Sequence, residues 1–275
     1  MFCGGGNVGV NVKSTNYYYN DVSDEVIGLI KIFESIENNE LINDIEKIIE
    51  KYGLSNTKKN GYAYYNCNSS DGLGKYNKEK FLKLREDFNR LKEKNKEYYE
   101  MFFTLIIFSF NNQIRFNNNG EFNLPVGKRD FNAKMHEKVE TFLDRLKEQK
   151  PAFSCQSFEK FDISKLNKNS LVYCDPPYLI TTASYNENGG WTEKEEKNLL
   201  KFLDELEDNN IKFALSNVIE HKGKKNKILY EWVERNNYKI NYLNYNYNNS
   251  NYHAKNLDKN TSEVLITNYN VEGDL

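Results

Sequence analysis

A chain of 275 residues, 39% apolar and 28% charged, has room for one large domain or for one domain with a sizeable insertion. Its net charge of −2 excludes a uniformly basic nucleic-acid binder, so any such contact must come from a local basic face. The longest apolar run, residues 101–110, is too short to span a bilayer, and no charged-then-apolar signal opens the chain, so a cytoplasmic location is expected. Cys3, Cys67, Cys155 and Cys174 are scattered without metal-ligand spacing, so reduced structural thiols and no metal site are expected.

The chain opens on a Gly-rich stretch, Phe2-Cys3-Gly4-Gly5-Gly6-Asn7-Val8-Gly9. A short strand at 16–19 runs into Asn20-Asp21. Ser23 is placed as an N-cap, with Asp24 and Glu25 in the first turn and Val26, Ile30, Phe33 and Ile36 on one helical face. A second helix over 41–52 stops at Gly53. From there the composition changes. Residues 77–99 are highly charged with Phe81, Leu84, Phe88 and Leu91 at helical spacing, and 101–110 continue them as a buried helix. An Asn-rich stretch at 111–132 leads to an amphipathic helix over 134–149, which ends before Pro151.

After Pro151 strands and helices alternate. A strand at 171–174 precedes a helix opened by a Thr192/Glu195 capping box, then a strand at 211–215, a helix at 228–233, and strands at 238–247 and 263–269. The pattern predicts an α/β sheet with a crossover. It divides the chain into a first catalytic segment (1–52), a mostly helical inserted block (53–150) and a second catalytic segment (151–275).

Asp175-Pro176-Pro177-Tyr178 follows directly on the strand at 171–174. Loops beyond the carboxyl ends of strands in open α/β sheets are where ligands bind. Two prolines fix the backbone, the Asp175 carboxylate and the Pro176 carbonyl can each accept one N–H of an amine, and Tyr178 offers a stacking face worth roughly 1–3 kcal/mol per base. The set suits an amine on a flat ring. An Asp-Pro turn after a strand would use the same residues.

Taken with the rest of the chain, this motif resembles those of the Dam-type (D12 class) adenine-N6 DNA methyltransferases. Phe2-Cys3-Gly4-Gly5-Gly6 is similar to that family's methionine-binding Phe-x-Gly-x-Gly loop, and Asn20-Asp21 to the pair whose Asp binds the cofactor ribose. Ile114-Arg115-Phe116-Asn117 and the segment from Gly120 through Asn123 and Pro125 to Gly127 resemble its target-recognition signature. Asp175 to Tyr178 matches its catalytic motif, and Leu215-Ser216-Asn217 and residues 263–269 its later strands. The resemblance implies a Rossmann-like methyltransferase sheet with an inserted, mostly helical target-recognition domain. It implies S-adenosylmethionine held by Phe2, Cys3, Gly4, Gly6, Asp21, Ser157, Phe158 and Asp175, and adenine N6 of duplex DNA as methyl acceptor at Asp175, Pro176, Pro177 and Tyr178. Ser157 stands where family members often carry Asp.

For DNA, the resemblance makes Phe110 an aromatic wedge beside a flipped base and Arg115 a guanine reader. Asn111, Gln113, Asn117, Asn123 and Pro125 lie along the same segment, and Lys128 and Arg129 are phosphate contacts. Phe110 as the end of a buried helix and Arg115 in a surface ion pair are the alternatives. Gln113 lies where Dam enzymes that read GATC carry an apolar residue, which leaves the recognition sequence open. His221-Lys222-Gly223-Lys224-Lys225-Asn226-Lys227 is a further basic loop, either solvated or on phosphates.

Family members carry a strand and a Lys- and Gly-containing segment before the Gly-rich loop, whereas here Met1 directly precedes Phe2. The expectation is weak S-adenosylmethionine binding by this chain alone, with a partner chain as one source of that segment and a cognate restriction endonuclease as a further partner. A catalytically silent DNA-binding remnant and methylation of another planar amine are the competing functions.

Overall fold

The structure is a computed structural model and describes residues 1–181, 191–243 and 261–271. The chain forms two compact units, one from Gly5–Tyr18 and Ser23–Phe153, the other from Met1–Gly4, Tyr19–Val22 and Ser154–Leu275.

The first unit is helical. Its helices are α1 (Asp24–Ser35), α2 (Asn38–Tyr52), the single turn α3 (Thr57–Asn60), α4 (Gly74–Arg90), α5 (Lys96–Phe108) and α6 (Ala133–Gln149). Ser23 caps α1 by accepting from the Val26 N–H at 3.3 Å. Gly53 ends α2 in the left-handed region at φ 65°, where glycine carries no Cβ penalty. The expected run from 77 to 110 is two helices. Leu91 is extended, and the Asn95 side chain accepts from the Tyr98 N–H at 3.1 Å to start α5. That helix is apolar nearly all round because α1, α2 and α4 all pack on it. Phe102, Leu105 and Phe108 are fully buried, and each contributes about 1.5–3 kcal/mol. α1 crosses α5 at Gly28, where an added Cβ would stand 1.9 Å from the Tyr99 hydroxyl. α1 and α2 thus share a core with α4, α5 and α6, so the compact unit begins well before residue 53, although the composition changes only there.

The second unit is built on sheet. Strands β1 (Tyr18–Asp21) and β2 (Ala152–Cys155) form a two-stranded pair. The larger sheet has the order β3-β4-β7-β6, with β3 (Leu171–Cys174), β4 (Lys212–His221), β6 (Lys239–Tyr242) and β7 (Thr261–Thr267); the two-residue β5 (Lys224–Lys225) pairs with the end of β4. β3 and β4 are parallel, joined through helix α7 (Glu193–Asp208), and the other pairs are antiparallel. Helix α8 (Lys227–Asn236) packs with α7 and β4 over a core of Leu199, Leu203, Phe213, Leu215, Trp232 and Ile266. The capping box that opens α7 is formed by Thr192 and Glu195 as expected. The strand expected at 16–19 sits two residues later, and of that expected at 238–247 residues 239–242 are strand while 244–247 lie outside the described residues. β2 and β5 were unexpected; both are too short to show an alternating pattern. The architecture is mixed α/β with a central sheet. Among the described residues no helix is long and apolar enough to cross a membrane.

Candidate active site

The loop Asp175 to Tyr178 leaves the carboxyl end of β3, where Cys174 pairs with Leu215 of β4. Pro176 is buried and Pro177 half-buried, which seats the loop on the sheet. The Tyr178 hydroxyl donates to Asp175 Oδ1 at 3.1 Å and lies 3.2 Å from Ser216 Oγ, the first β4 residue past the end of β3. Asp175 is exposed to solvent, between buried Cys174 and Pro176. Desolvation by the surrounding protein pushes its pKa up, hydrogen bonds from Tyr178 and Ser216 oppose the shift, and the Glu263 carboxylate adds to it. Burial, then the Asp175 charge, raises the Tyr178 phenol, which stays protonated at neutral pH. The result is a carboxylate with a partly free acceptor face next to an aromatic ring.

The Gly-rich start meets Asp21 in the same unit. The Gly4 N–H donates to Asp21 Oδ2 at 2.9 Å, and the Cys3 N–H to the Asn20 carbonyl at 2.9 Å. Gly4 has φ +47° and open space where a Cβ would stand, so the backbone there is exposed to a ligand that a side chain would block. Asn20 is buried; its amide donates to the Gln156 carbonyl at 3.0 Å and accepts from Ser154 Oγ at 2.7 Å. This ties β1 to the segment that carries Ser157 and Phe158. The Phe158 ring packs 5.4 Å from Phe2, and Ser157 caps the turn of Phe158–Lys160 by accepting from the Glu159 N–H at 3.4 Å. Burial, helped by the Asp21 charge, pushes the Cys3 thiol up to about 12, which keeps it protonated at neutral pH.

Three further residues were invisible as site elements in the sequence. Ser216 has been described. Trp191 packs against both Phe2 and Phe158, at 5.6 and 6.0 Å between ring centroids. Glu196 on α7 is fully buried and accepts from Trp191 Nε1 at 2.6 Å, Asn226 Nδ2 at 2.8 Å and Asn217 Nδ2 at 3.4 Å. Burial raises its pKa against the lowering effect of those three donors. One carboxylate therefore joins the aromatic cluster to β4 just beyond Ser216 and to the cap of α8. The available signal was Leu215-Ser216-Asn217; Glu196 sits in a run of acids that reads as a solvated helix start.

The residues expected to meet DNA all fall in the helical unit. Residues 108–127 fold back on themselves: the Phe110 N–H donates to Pro125 O, Asn123 N–H to Arg115 O, Asn117 N–H to Glu121 O and Gly127 N–H to Phe108 O, at 2.7–3.1 Å. Gly127 is required there, since a Cβ would lie 2.4 Å from the Ser109 carbonyl. α5 ends at Phe108, so Phe110 is not the end of a buried helix; its ring is 47% exposed. Asn111, Gln113, Pro125, Lys128 and Arg129 are exposed, and Asn111 is left-handed at φ 54°. Arg115 is half-buried and forms no surface ion pair among the described residues. Its Nε and one terminal nitrogen donate to the side chain and carbonyl of Asn123 at 2.8 and 3.2 Å, which aims the guanidinium. Asn117 closes the turn by accepting from the N–H groups of Asn119 and Glu121. Arg129 donates to the Ser69 carbonyl at 3.1 Å, and the buried Asp130 accepts from Ser55, the Thr57 N–H and the Thr57 hydroxyl, which fixes the strip carrying Lys128 and Arg129.

A carboxylate loop at the end of a parallel strand and a Gly-rich loop hydrogen-bonded to an acid thus lie in one α/β unit. The chain belongs to the D12 class N6 adenine-specific DNA methyltransferase family, whose profile matches residues 1–249. It is 37% identical over 275 residues to Modification methylase StsI of Streptococcus sanguinis and 39% identical over 275 residues to Type II methyltransferase M.FokI of Planomicrobium okeanokoites. It is 31% identical over 269 residues to Modification methylase LlaI of Lactococcus lactis subsp. lactis. These matches cover 96–98% of this chain but 38% of each relative, so the chain spans well under half the length of the curated relatives it matches.

Proposed function

We propose that the protein is a site-specific DNA methyltransferase that moves a methyl group from S-adenosylmethionine to adenine N6 in duplex DNA. The observation that carries this is the carboxylate of Asp175, held at the end of β3 beside the ring of Tyr178 in the same compact unit as the Gly4–Asp21 pair. The residues fit the cofactor. Gly4 leaves room for close approach, Asp21 offers a carboxylate oxygen to ribose hydroxyls, and Phe158 with Ser157 suits an adenine ring and its amine. Cys3, Gly6 and Phe2 shape the same loop. S-adenosylmethionine, when bound, supplies an electrophilic methyl on its sulfonium.

The chain's own residues do the rest. The Asp175 carboxylate and Pro176 carbonyl accept the two N–H groups of the target amine, aim its lone pair and stabilise the charge that develops on nitrogen as the methyl arrives. Pro177 holds the loop and Tyr178 stacks on the base. The base has to leave the duplex to reach this loop, so Phe110 fills its place and Arg115 reads a neighbouring guanine. Asn111, Gln113, Asn117, Asn123 and Pro125 line that reading segment, while Lys128 and Arg129 hold phosphates. In this reading a Rossmann-like catalytic part, drawn from 1–52 and 151–275, receives an inserted helical recognition domain (53–150), to which α1 and α2 add their packing. A partner chain and a cognate endonuclease belong to this reading as further partners.

The intact Gly4–Asp21 pair favours a working cofactor pocket over a silent remnant. Isothermal titration with S-adenosylmethionine is expected to give saturable heat that Asp21→Ala removes or weakens at least tenfold. No heat from the parent chain would leave the remnant as the better reading.

A further inference from the structure

Beyond Ser216, β4 runs on past the catalytic loop. β3 ends at Cys174 opposite Leu215, but β4 continues to His221, six residues or about 20 Å further in the same direction. It then turns through Lys222 and Gly223, with φ 50° and 78°, and returns as β5, pairing His221 with Lys224 and Glu220 with Lys225. Two positive φ values in a two-residue turn match the twist of a hairpin, so the tip is a formed structure. Its base is fixed as well: the buried Asn226 donates its backbone N–H to the Ile219 carbonyl at 3.0 Å and its side chain to Glu196 at 2.8 Å.

Residues 220–227 hold four lysines against one glutamate, a local charge of +3 on a chain whose net charge is −2. Lys224 and Lys225 are exposed, and the side chain of neither forms an ion pair or hydrogen bond among the described residues. We propose that the β4–β5 hairpin is a DNA-backbone contact of the catalytic unit, with Lys224 and Lys225 on phosphates flanking the target base. This rests on the DNA methyltransferase reading above. A base that reaches Asp175 must come from a duplex lying outside the carboxyl end of β3, and the hairpin projects there beside the first residues of β7. A duplex carries one phosphate charge per about 1.7 Å of axis, so cations standing about 20 Å out from that edge meet backbone whatever the sequence.

The test is anisotropy of a labelled mixed-sequence duplex across a salt series, with Lys224→Ala/Lys225→Ala beside a control pair, Lys165→Ala/Lys168→Ala. The control removes the same charge from the opposite end of β3. The hairpin variant is expected to bind about 5–20-fold more weakly at low salt, with the log–log salt slope reduced by about 2. S-adenosylmethionine affinity should be unchanged, and Lys224→Arg/Lys225→Arg should restore binding. A hairpin variant that matches the control in affinity and slope overturns the proposal, and if the parent chain still methylates DNA it does so without touching the functional reading. A parent chain that neither binds nor methylates DNA removes both.

Discussion

Asp175→Asn is expected to lower kcat by about 10²–10³ while leaving the fold as stable as the parent or slightly more so. The carboxamide is nearly isosteric and keeps one acceptor oxygen, but it turns the other into an N–H₂ donor and removes the negative charge that would stabilise charge developing on the target nitrogen. Stability should respond little. Burial raises the Asp175 pKa in the folded state, so its contribution is favourable below the unfolded carboxylate value and is lost as pH rises through the folded value. At neutral pH the fold mildly disfavours this carboxylate, and because Asp175 is exposed to solvent the effect is small, so asparagine is expected to change stability little. The same raised pKa predicts that kcat falls on the acid side earlier than an ordinary aspartate would give, because protonation removes one acceptor. Single-turnover rates from pH 5 to 8, with thermal melts of both proteins, check all three statements. A parallel loss of rate and stability would assign Asp175 a structural role instead.

The largest stability effect is expected at Glu196. Alanine there leaves Trp191 Nε1, Asn217 Nδ2 and Asn226 Nδ2 without their shared acceptor in a buried site. Leaving buried donors unpaired costs about 1–3 kcal/mol each, offset in part by removing a buried charge, so a net loss of about 2–4 kcal/mol is expected. Glu196→Gln should lose less, since its amide oxygen still accepts. The parent should lose stability as pH rises through the raised folded pKa of Glu196, and the glutamine variant should lack that component. Because Trp191 packs on Phe2 and Phe158, indole emission should shift in Glu196→Ala and S-adenosylmethionine affinity should fall with it. Denaturant titration followed by tryptophan emission separates these outcomes; an alanine variant as stable as the parent would refute the hub.

What the sequence made legible was local. Ser23, Gly53 and the Thr192/Glu195 pair were readable as helix ends because capping acts over three or four residues, and each does what its position implies. The place of the Asp175–Tyr178 loop at the end of a strand was readable because strand and loop are contiguous. The break between α4 and α5 was missed because apolar periodicity continues across 91–95, while the signal for it is the cap at Asn95. The grouping of α1 and α2 with the later helices was not readable, since it depends on contacts such as Gly28 against Tyr99, distant in the chain. Glu196 shows the same limit: its sequence neighbours Glu193 and Glu195 are first-turn acids, exposed and half-buried, and only the fold separates the buried one from them. Arg115 was read as a DNA contact, but its hold on Asn123 emerged only once the two halves of the 108–127 segment were seen to pair.

The most direct test of methyl transfer to adenine is to incubate the chain with S-adenosylmethionine carrying a labelled methyl group and an unmodified duplex, digest the DNA to nucleosides and separate them. Label is expected in N6-methyldeoxyadenosine, with about 10²–10³ slower incorporation when Asp175→Asn is used. Label confined to methylcytosine, or absent from DNA altogether while S-adenosylmethionine is bound, would contradict methyl transfer to adenine.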